Sequence, residues 1–239
     1  MSGFIQSGRF AAGGGFSPTD LTGLVLWLDA SDAGSITESG GAVSQWNDLS
    51  GNGYHVSQAT EAFKPTLSVG AINGLDALNF PDDPTKMSAT GVTSLAWKPA
   101  TVFVVAKINN SATDKTFIAQ GDSGYFQFRA TSAEKLGLLK SSAVNLGEST
   151  TANSTAVASL SVVTYDNSGN YAFFTDRAAN GSGTNNQTLT ASTNIYVGNR
   201  QTAENFLGDI AEILVYDTAL GTTDRQAAEN YLSAKWGTP

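Results

Sequence analysis

The sequence predicts an all-β fold in which two antiparallel sheets stack as a sandwich and one short α-helix follows at the C-terminus. Three observations lead to this prediction. Short segments rich in β-branched and aromatic residues recur along the chain, bounded by Gly, Asn, Asp and Ser. Within those segments the apolar residues alternate or form short continuous runs, which is the pattern of strands. Helical spacing of apolar residues occurs only near the C-terminus.

The composition fits one domain and excludes several kinds of partner. A chain of 239 residues with 41% hydrophobic content can bury a full core. Thirteen basic and 21 acidic residues give a net charge of −8, so we expect no nucleic-acid partner, because phosphate would be repelled. The absence of cysteine excludes disulfides and thiolate metal sites.

The N-terminal residues 1–20 are predicted to be a tether or docking segment, and residues 21–239 to be the domain. The segment is rich in Gly, Ser and Ala, and Phe4, Ile5 and Phe10 are apolar enough to dock on a partner. It lacks the basic start and the apolar stretch of a signal peptide, and no run in the chain approaches the ~18 apolar residues of a membrane span. We therefore expect a protein made in a cytoplasm, without membrane insertion.

The first predicted strands are "LVLWL" (24–28), "AVSQW" (42–46), "LDALNF" (75–80) and "TVFVVAKI" (101–108). Alternation in the third strand places alternate residues on opposite faces: Leu75, Ala77 and Asn79 on one, and Asp76, Leu78 and Phe80 on the other. The fourth strand is long and β-branched, which indicates a central position in a sheet.

The next segment, "TFIAQGDSGYFQFR", contains a "GDSG" that resembles the nucleophile loop of trypsin-like serine proteases. Such a protease needs an imidazole to accept the serine proton, and the only histidine, His55, lies in "GNGYHVSQ", which is not a catalytic context. We interpret "GDSG" as a hairpin turn between strands 116–120 and 125–129. Gly124 can take a positive φ there, and Asp122 can bond its own backbone.

The second half continues with predicted strands at 135–139, 159–166, 171–176, 194–199 and 208–217. The polar stretch 177–187, "RAANGSGTNNQ", is predicted to be a long mobile loop. In the last strand, alternation predicts one face with Ile210, Glu212, Leu214 and Tyr216, and an apolar face with Ala211, Ile213 and Val215. Glu212 is predicted to lie on a partly solvated side.

The C-terminal sequence "GTTDRQAAENYLSAKWG" predicts the helix. Thr222 or Thr223 is predicted as N-cap, with Gln226 completing a capping box and Asp224 in the first turn. Apolar residues recur at three- and four-residue spacing up to Trp236, which we interpret as a packing anchor rather than a ligand-stacking residue. Gly237 is predicted to end the helix.

The order of these segments resembles the laminin-G-like, concanavalin A-like lectin/glucanase jelly-roll family. In the second half the resemblance rests on three groups of residues: Val163, Tyr165 and Asp166; Ile195, Val197 and Gly198; and Gly208, Ile210, Ala211, Glu212, Ile213, Val215, Tyr216, Ala219 and Leu220. In the first half, "LWLDASD", "WNDLSGNG" and "NGLDALNF" resemble the opening of bacterial and phage members. The match runs from Leu21 to Gly237 and implies a concanavalin A-like jelly roll over residues 21–239.

No catalytic residues are predicted. Glucanases of this family use a cluster resembling E-x-D-x-x-E on one strand, whose carboxylates share a face, and the chain has no such cluster. Asp209 and Glu212 are three apart, so a regular strand points them to opposite faces. Asp29, Asp32, Asp82 and Asp83 lie in sequence typical of loops. We therefore expect a protein that is not an enzyme.

No metal or ligand-binding residues are assigned by the sequence either. Many relatives bind calcium at the sandwich rim, and oxygen ligands are available at Asp82, Asp83, Asp122, Asp166 and Asn167, but their spacing is not that of a dedicated calcium loop. No cofactor is therefore predicted. Trp97 and Tyr54, beside His55, are the aromatic residues considered for a glycan platform, although each pattern is more typical of the core edge.

The favoured function is that of a bacteriophage virion surface protein, either a capsid decoration, a head fibre or a tail-associated adhesin. An adhesion-type fold without an export signal or cysteine fits assembly in the host cytoplasm and localisation to the virion. The expected partners are other virion proteins, bound through the N-terminal segment, and host-surface glycans; homo-oligomers are expected because repeated weak sites gain avidity. The alternative is a glycan-binding module of a bacterial cell-surface protein, and an enzyme with an unrecognised site is a third hypothesis.

Overall fold

The computed structural model describes residues 15–81, 84–93, 95, 97–109, 113–121, 126–140, 144–155, 157–189, 192–199 and 204–239. Within these residues backbone pairing connects seventeen β-strands, and one α-helix follows them. The strands are β1 (Leu24–Asp29), β2 (Ile36–Ser39), β3 (Ala42–Trp46), β4 (Val56–Ser57), β5 (Thr66–Ile72), β6 (Leu75–Phe80), β7 (Met87–Ala89), β8 (Ala100–Ile108), β9 (Lys115–Gln120), β10 (Phe126–Ala130), β11 (Lys135–Lys140), β12 (Val144–Ala152), β13 (Ser159–Tyr165), β14 (Asn170–Thr175), β15 (Ala178–Thr184), β16 (Ile195–Val197) and β17 (Gly208–Tyr216). The helix α1 spans Thr222–Trp236, and short 3-10 helices span Pro18–Asp20, Ala33–Ser35 and Glu61–Phe63.

The strands form two antiparallel layers. In the first, β17 pairs with β8, β8 with β13, β13 with β14 and β14 with β15, while β1 and β6 share the other edge of β17. In the second, β7, β16, β9, β10, β11 and β12 pair in that spatial order. Strands β2 to β5 join the layers at one side, because β5 pairs with β6 and β4 pairs with β7. The predicted two-sheet antiparallel sandwich is confirmed.

The main core lies between the two layers. Val102 and Val104 of β8 and Val215 of β17 face Phe128 of β10 and Leu138 of β11, and all five are buried. Burying a side chain of this size stabilises the fold by about 1.5–3 kcal/mol. The continuous apolar sequence of β8 is explained by burial on both faces, which confirms its predicted central position.

A second core lies between the first layer and helix α1. Phe103, Leu214 and Tyr216 point to this outer face and pack with Leu232 and Trp236 of the helix. Trp236 is therefore a packing residue, as predicted. Gly237, with φ 67°, ends the helix, also as predicted. The helix begins differently, because Gly221 is the N-cap and no side-chain cap forms, so the predicted threonine cap and capping box are wrong.

A β-bulge in β17 changes which residues share a face. Ile210 pairs with Ala106 but Glu212 pairs with Val105, so Ala211 is an extra residue. Ile210 consequently faces the inter-sheet core, whereas Ala211 packs on the helix side, each opposite to the prediction. Glu212 keeps the face of Leu214 and Tyr216, but it is completely buried, so its predicted partial solvation is wrong.

Each strand predicted from the sequence lies on a strand of the structure, and the alternation of β6 is confirmed. The pattern did not predict β2, β4, β5, β7, β12 and β15. The stretch predicted to be a mobile loop at 177–187 holds β15, which pairs with β14 through a two-residue turn at Asp176 and Arg177, both with positive φ. Strand β15 is half-exposed at the edge of its layer, which is consistent with its small and polar residues.

Some predictions fall outside the described residues. These are the tether as far as residue 14, Asp82 and Asp83, and Asp122 to Gly124 of the "GDSG" segment. The flanking strands β9 and β10 do pair antiparallel, with Phe126 opposite Gln120. Phe16 contacts Tyr231 of α1 at 5.7 Å between ring centroids. In the described part of the chain, no helix has both the length and the apolar character that crossing a bilayer requires.

Candidate functional site

One end of the sandwich carries amide, lysine and tyrosine side chains that come from five separate places in the chain. We call this group the amide–lysine rim. Lys98 lies two residues before β8, Lys140 ends β11, Asn145 and Tyr171 are the second residues of β12 and β14, and a polar run follows β15. Its members are Lys98, Lys140, Asn145, Tyr171, Asn185, Asn186 and Gln187.

Two tyrosines form the base of the rim. Tyr165 of β13 and Tyr171 of β14 are directly opposed cross-strand partners. The Tyr171 ring passes between Gly147 of β12 and Gly183 of β15, where a Cβ would stand 2.2 Å and 2.4 Å, respectively, from the nearest tyrosine atom. Glycine is therefore required on both sides of this ring, which remains partly exposed.

Hydrogen bonds fix the backbone of the run that follows β15. The Tyr165 hydroxyl donates to the Asn185 carbonyl oxygen at 2.6 Å, and Asn185 Nδ2 donates to the Asn145 carbonyl oxygen at 3.4 Å across the seam between β15 and β12. Burial, and secondarily the nearby Asp166, raise the pKa of Tyr165, so its hydroxyl remains a donor at neutral pH. Asn186 and Gln187 are exposed.

Both lysines converge on the same dipeptide. Lys98 Nζ donates to Asn186 Oδ1 at 2.5 Å and to the Gln187 carbonyl oxygen at 3.3 Å, and it lies 5.5 Å from the centroid of the Tyr165 ring. Lys140 Nζ donates to Gln187 Oε1 at 3.4 Å. An ammonium group has three N–H donors, so neither lysine exhausts its capacity within the protein.

The buried side chain of Trp97 anchors the segment that carries Lys98. The Trp97 backbone has φ 58°, an uncommon conformation for a bulky residue, and its fully buried ring stacks on Phe126 at 4.2 Å between centroids. Gln120 secures the same segment, because its Nε2 donates to the Leu95 carbonyl at 3.0 Å and to the Ser192 carbonyl. The rim therefore stands on a fixed base.

The rim presents groups whose chemistry suits a polar ligand. Amides offer paired donors and acceptors, the tyrosine offers the exposed part of its ring, and the lysines offer positive charge. The described residues contain no group of three or more His, Cys, Asp or Glu side chains that could hold a metal ion.

The aromatic residues considered from the sequence do not form a platform. Trp97 is buried, as described above, and Tyr54 packs partly against the core. His55 Nδ1 accepts a hydrogen bond from the backbone N–H of Asp48 at 3.0 Å, while the Asp48 carboxylate accepts from Trp27 N–H at 3.0 Å. These groups hold the turn after β3, which is a structural role.

The carboxylates considered for catalysis are arranged differently from the prediction. The bulge places Asp209 and Glu212 on the same face of β17, so their predicted opposition is wrong. Asp29 is the last residue of β1 rather than part of a loop, and it pairs directly with Glu212.

Glu212 and Asp29 share one ammonium beneath the helix. Lys235 Nζ contacts Glu212 Oε2 at 2.7 Å and Asp29 Oδ2. Three further donors reach Glu212, from Trp27 Nε1 at 2.8 Å, Trp236 Nε1 at 2.6 Å and the Tyr231 hydroxyl at 3.1 Å. Burial, and then the Asp29 charge, raise the pKa of Glu212, against the opposing effects of Lys235 and Trp236. Helix α1 seals this pair from solvent.

Of the oxygen ligands considered for calcium, the described ones are Asp166 and Asn167 in the turn between β13 and β14. Asp166 accepts from Asn170 N–H and Nδ2, both at 2.8 Å, and the Asn170 side-chain bond lowers the pKa of Asp166. Asn167 is exposed. Asp82, Asp83 and Asp122 lie outside the described residues.

The sequence did not predict the rim, because its members are distant along the chain. The one local signal is "NNQ" at 185–187, inside the stretch interpreted as a mobile loop. Because β15 pairs with β14, the residues that follow β15 have a fixed position. Lys98 and Lys140 come close to them only in the folded chain.

Comparison with known proteins identifies the family. Residues 76–224, more than half of the chain, match the family model of the concanavalin A-like lectin/glucanases superfamily. The chain therefore belongs to the concanavalin A-like lectin/glucanase superfamily. No curated protein matched the sequence.

Solved structures share the fold at low sequence identity. A Trypanosoma rangeli sialidase in complex with sialic acid matches with a TM-score of 0.61 and 14% identity, over 90% of this chain and 33% of that chain. A structure of botulinum neurotoxin type C, which interacts with two ganglioside molecules, matches with a TM-score of 0.62 and 13% identity, over 88% of this chain and 51% of that chain. The chain thus spans a third to a half of the length of these two structures, and the likeness shows the fold alone.

Proposed function

We propose that this chain is a non-enzymatic carbohydrate-binding jelly roll on the surface of a bacteriophage virion. The observation that carries the carbohydrate part is the amide–lysine rim, a set of exposed amides beside a tyrosine ring on a fixed base. Sugars present hydroxyl groups in pairs and apolar C–H faces, which amides and aromatic rings complement, respectively. Binding sites commonly consist of a few positioned polar groups of this kind.

The structural neighbours support a carbohydrate ligand. The sialidase structure contains sialic acid, and the neurotoxin interacts with gangliosides, which are sugar-bearing lipids. Neither neighbour is close in sequence, so the rim of this chain would contact sugar through its own residues.

The buried state of the paired carboxylates supports a non-enzymatic role. Glycosidases flank the scissile bond with two carboxyl groups that substrate can reach. Here Glu212 is completely buried and Asp29 is 6% exposed, and both are bound to Lys235 under α1. A sugar ring could not approach them while the helix is in place.

The virion assignment is supported by the resemblance of "LWLDASD" and "WNDLSGNG" to the opening of phage family members. In this proposal, residues 1–20 dock on another virion protein, the domain binds host-surface glycans, and homo-oligomers add avidity to a weak single site.

A glycan array probed with the purified full chain tests the carbohydrate part. We expect selective binding that is weakened by Gln187→Ala, which removes an exposed amide of the rim, and by Tyr171→Leu, which removes the ring but keeps most of its volume. Gln226→Ala is the matched control, since Gln226 is an exposed amide on α1 outside the rim. Absence of binding to any glycan would refute the proposal.

Mass spectrometry of purified virions from a phage that encodes the chain tests its location. We expect the protein among the particle components. Glycan binding by a chain that is absent from virions would favour a glycan-binding module of a bacterial cell-surface protein instead.

A further inference from the structure

We infer that the rim selects negatively charged glycans, those that carry a carboxylate, sulfate or phosphate group. The inference rests on the proposed carbohydrate-binding function and adds the chemical class of the ligand. It is supported by the two ammonium groups of the rim and by the uncharged oxygen atoms that accept hydrogen bonds from them.

The two lysines are held by neutral groups. Four other described cations form ion pairs: Lys64 with Glu61, Arg129 with Asp114 and Glu204, Arg225 with Glu229, and Lys235 with Asp29 and Glu212. Lys98 and Lys140 bond instead to amide oxygens of Asn186 and Gln187. Among the described residues neither lysine forms an ion pair; the carboxylates nearest the rim, Glu148 and Asp166, bond instead to the amide side chains of Asn145 and Asn170.

Lys98 is positioned before any ligand arrives. The Asn186 side chain, the Gln187 carbonyl and the face of the buried Tyr165 ring together fix its ammonium group. Two of its three N–H donors are used, which leaves one for a ligand. A cation that is already ordered loses little conformational entropy on binding, so its contact with an anion is favourable.

Lys140 places a second positive charge beside the first. Its ammonium meets the Gln187 side chain, while Lys98 meets the Gln187 backbone, so both charges lie around one residue. Carboxylate, sulfate and phosphate groups each have several oxygen atoms and can accept from both lysines at once. The surrounding amides can then bind the hydroxyl groups of the same sugar.

The net charge of the chain makes this local charge informative. At −8 the molecule repels anions at long range, and a neutral glycan would gain hydrogen bonds but no ionic attraction from the two lysines. The contact is therefore expected to act at short range, and the affinity should fall as salt screens it.

The experiment compares acidic glycans with neutralised forms of the same glycans. The full chain is titrated calorimetrically with sialylated, uronic-acid and sulfated oligosaccharides, and with their methyl-esterified or desulfated counterparts. The variants are Lys98→Gln and Lys140→Gln, and the control is Lys64→Gln, which removes the same charge from a lysine already paired with Glu61.

We expect binding of acidic forms, and a loss of affinity of about tenfold or more for each rim variant, since a hydrogen bond to a charged group is worth about 1.5–3 kcal/mol. Lys64→Gln should bind as the wild type does. Circular dichroism checks folding, and if Lys98→Gln does not fold, Lys140→Gln decides, because Lys140 makes a single long hydrogen bond.

Three results would overturn the inference. Equal affinity for acidic and neutralised glycans would refute it while leaving the proposed function standing. Binding of acidic glycans that neither lysine variant weakens would assign the charge selectivity to other residues. Failure to bind any glycan would refute the proposed function, and the inference with it.

Discussion

Replacing Glu212 is the sharpest test of how the helix is attached to the sandwich. This side chain accepts from Trp27, Tyr231, Lys235 and Trp236, so one carboxylate joins β1, β17 and α1. Glu212→Leu keeps a similar volume but removes both acceptor oxygens. We expect the free energy of unfolding to fall by about 4 kcal/mol.

The magnitude follows from the donors that are left behind. A buried donor that loses its partner costs about 1–3 kcal/mol. The side chain of Trp236, which carries one indole N–H donor, is fully buried, and that of Trp27, which carries the other, is partly buried. The half-buried Tyr231 hydroxyl can turn towards water. Two unpaired indole donors together account for about 4 kcal/mol. Removing one member of a buried charge pair costs about 3–5 kcal/mol in other proteins, which agrees with this value.

An opposing effect reduces the loss. Burial raises the pKa of Glu212, so the folded protein bears a desolvation cost for the ionised carboxylate, and leucine removes that cost. We expect the unpaired donors to dominate, because both indole N–H groups lose their acceptor, whereas Lys235 keeps Asp29. Glu212→Gln retains one acceptor without the charge and should cost about half as much.

The measurement is urea unfolding followed by tryptophan fluorescence and far-UV circular dichroism. A loss of about 4 kcal/mol corresponds to a Tm decrease of roughly 8–16 °C for a domain of this size. Glu61→Gln, at a glutamate with a 74% exposed side chain, is the control and should change stability by less than about 0.5 kcal/mol. A second comparison in a Trp236→Phe background should give a smaller cost for Glu212→Leu, since the indole N–H is already absent.

A free energy of unfolding of Glu212→Leu within about 1 kcal/mol of the wild-type value would show that these hydrogen bonds do not hold the helix. An equal cost with and without the Trp236 indole would lead to the same conclusion, because the loss would then come from packing and not from the hydrogen bond.

Two further predictions concern backbone approach and alkaline pH. Gly208→Ala should lower the free energy of unfolding in urea by about 2–4 kcal/mol, because φ is 142° and a Cβ would lie 2.1 Å from a carbonyl oxygen of β8. Gly15→Ala is the control and should be neutral, since no atom lies within 4 Å of a Cβ at that position. Equal effects of the two substitutions would refute the steric explanation. Burial raises the pKa values of Tyr216 and Tyr231, so their contribution to stability is complete below about pH 10 and is lost as the pH rises further. Absorbance at 295 nm should show these two phenols ionising only together with unfolding, and not in Tyr→Phe variants; reversible ionisation of both in a folded protein would contradict their burial.

Local patterns predicted most strands, because alternation and β-branched runs report directly on which side chains are buried. Strand β6 has the predicted faces, and Gly237 ends the helix as predicted. These features depend on a residue and its near neighbours in the chain.

The polar strands were not predicted, because their side chains are not buried in a regular pattern. β12 and β15 are rich in Gly, Ser, Thr and Asn, and their strand geometry comes from pairing with neighbours instead of from burial of their own side chains. The small residues have a further role, since Gly147 and Gly183 admit the ring of Tyr171 between two strands. Nothing local distinguishes such a glycine from one in a turn.

The sequence by itself determined that the chain forms an antiparallel sandwich with a terminal helix, since that information is carried by periodicity. Tertiary structure alone decided the environment of individual polar groups. A single inserted residue in β17 moved Ile210 to the inter-sheet core and Asp209 to the face of Glu212, and the helix then buried Glu212. Folding likewise brought Lys98 and Lys140 to Gln187 from distant positions. Charge, burial and hydrogen bonding depend on distance in space, which periodicity along the chain does not specify.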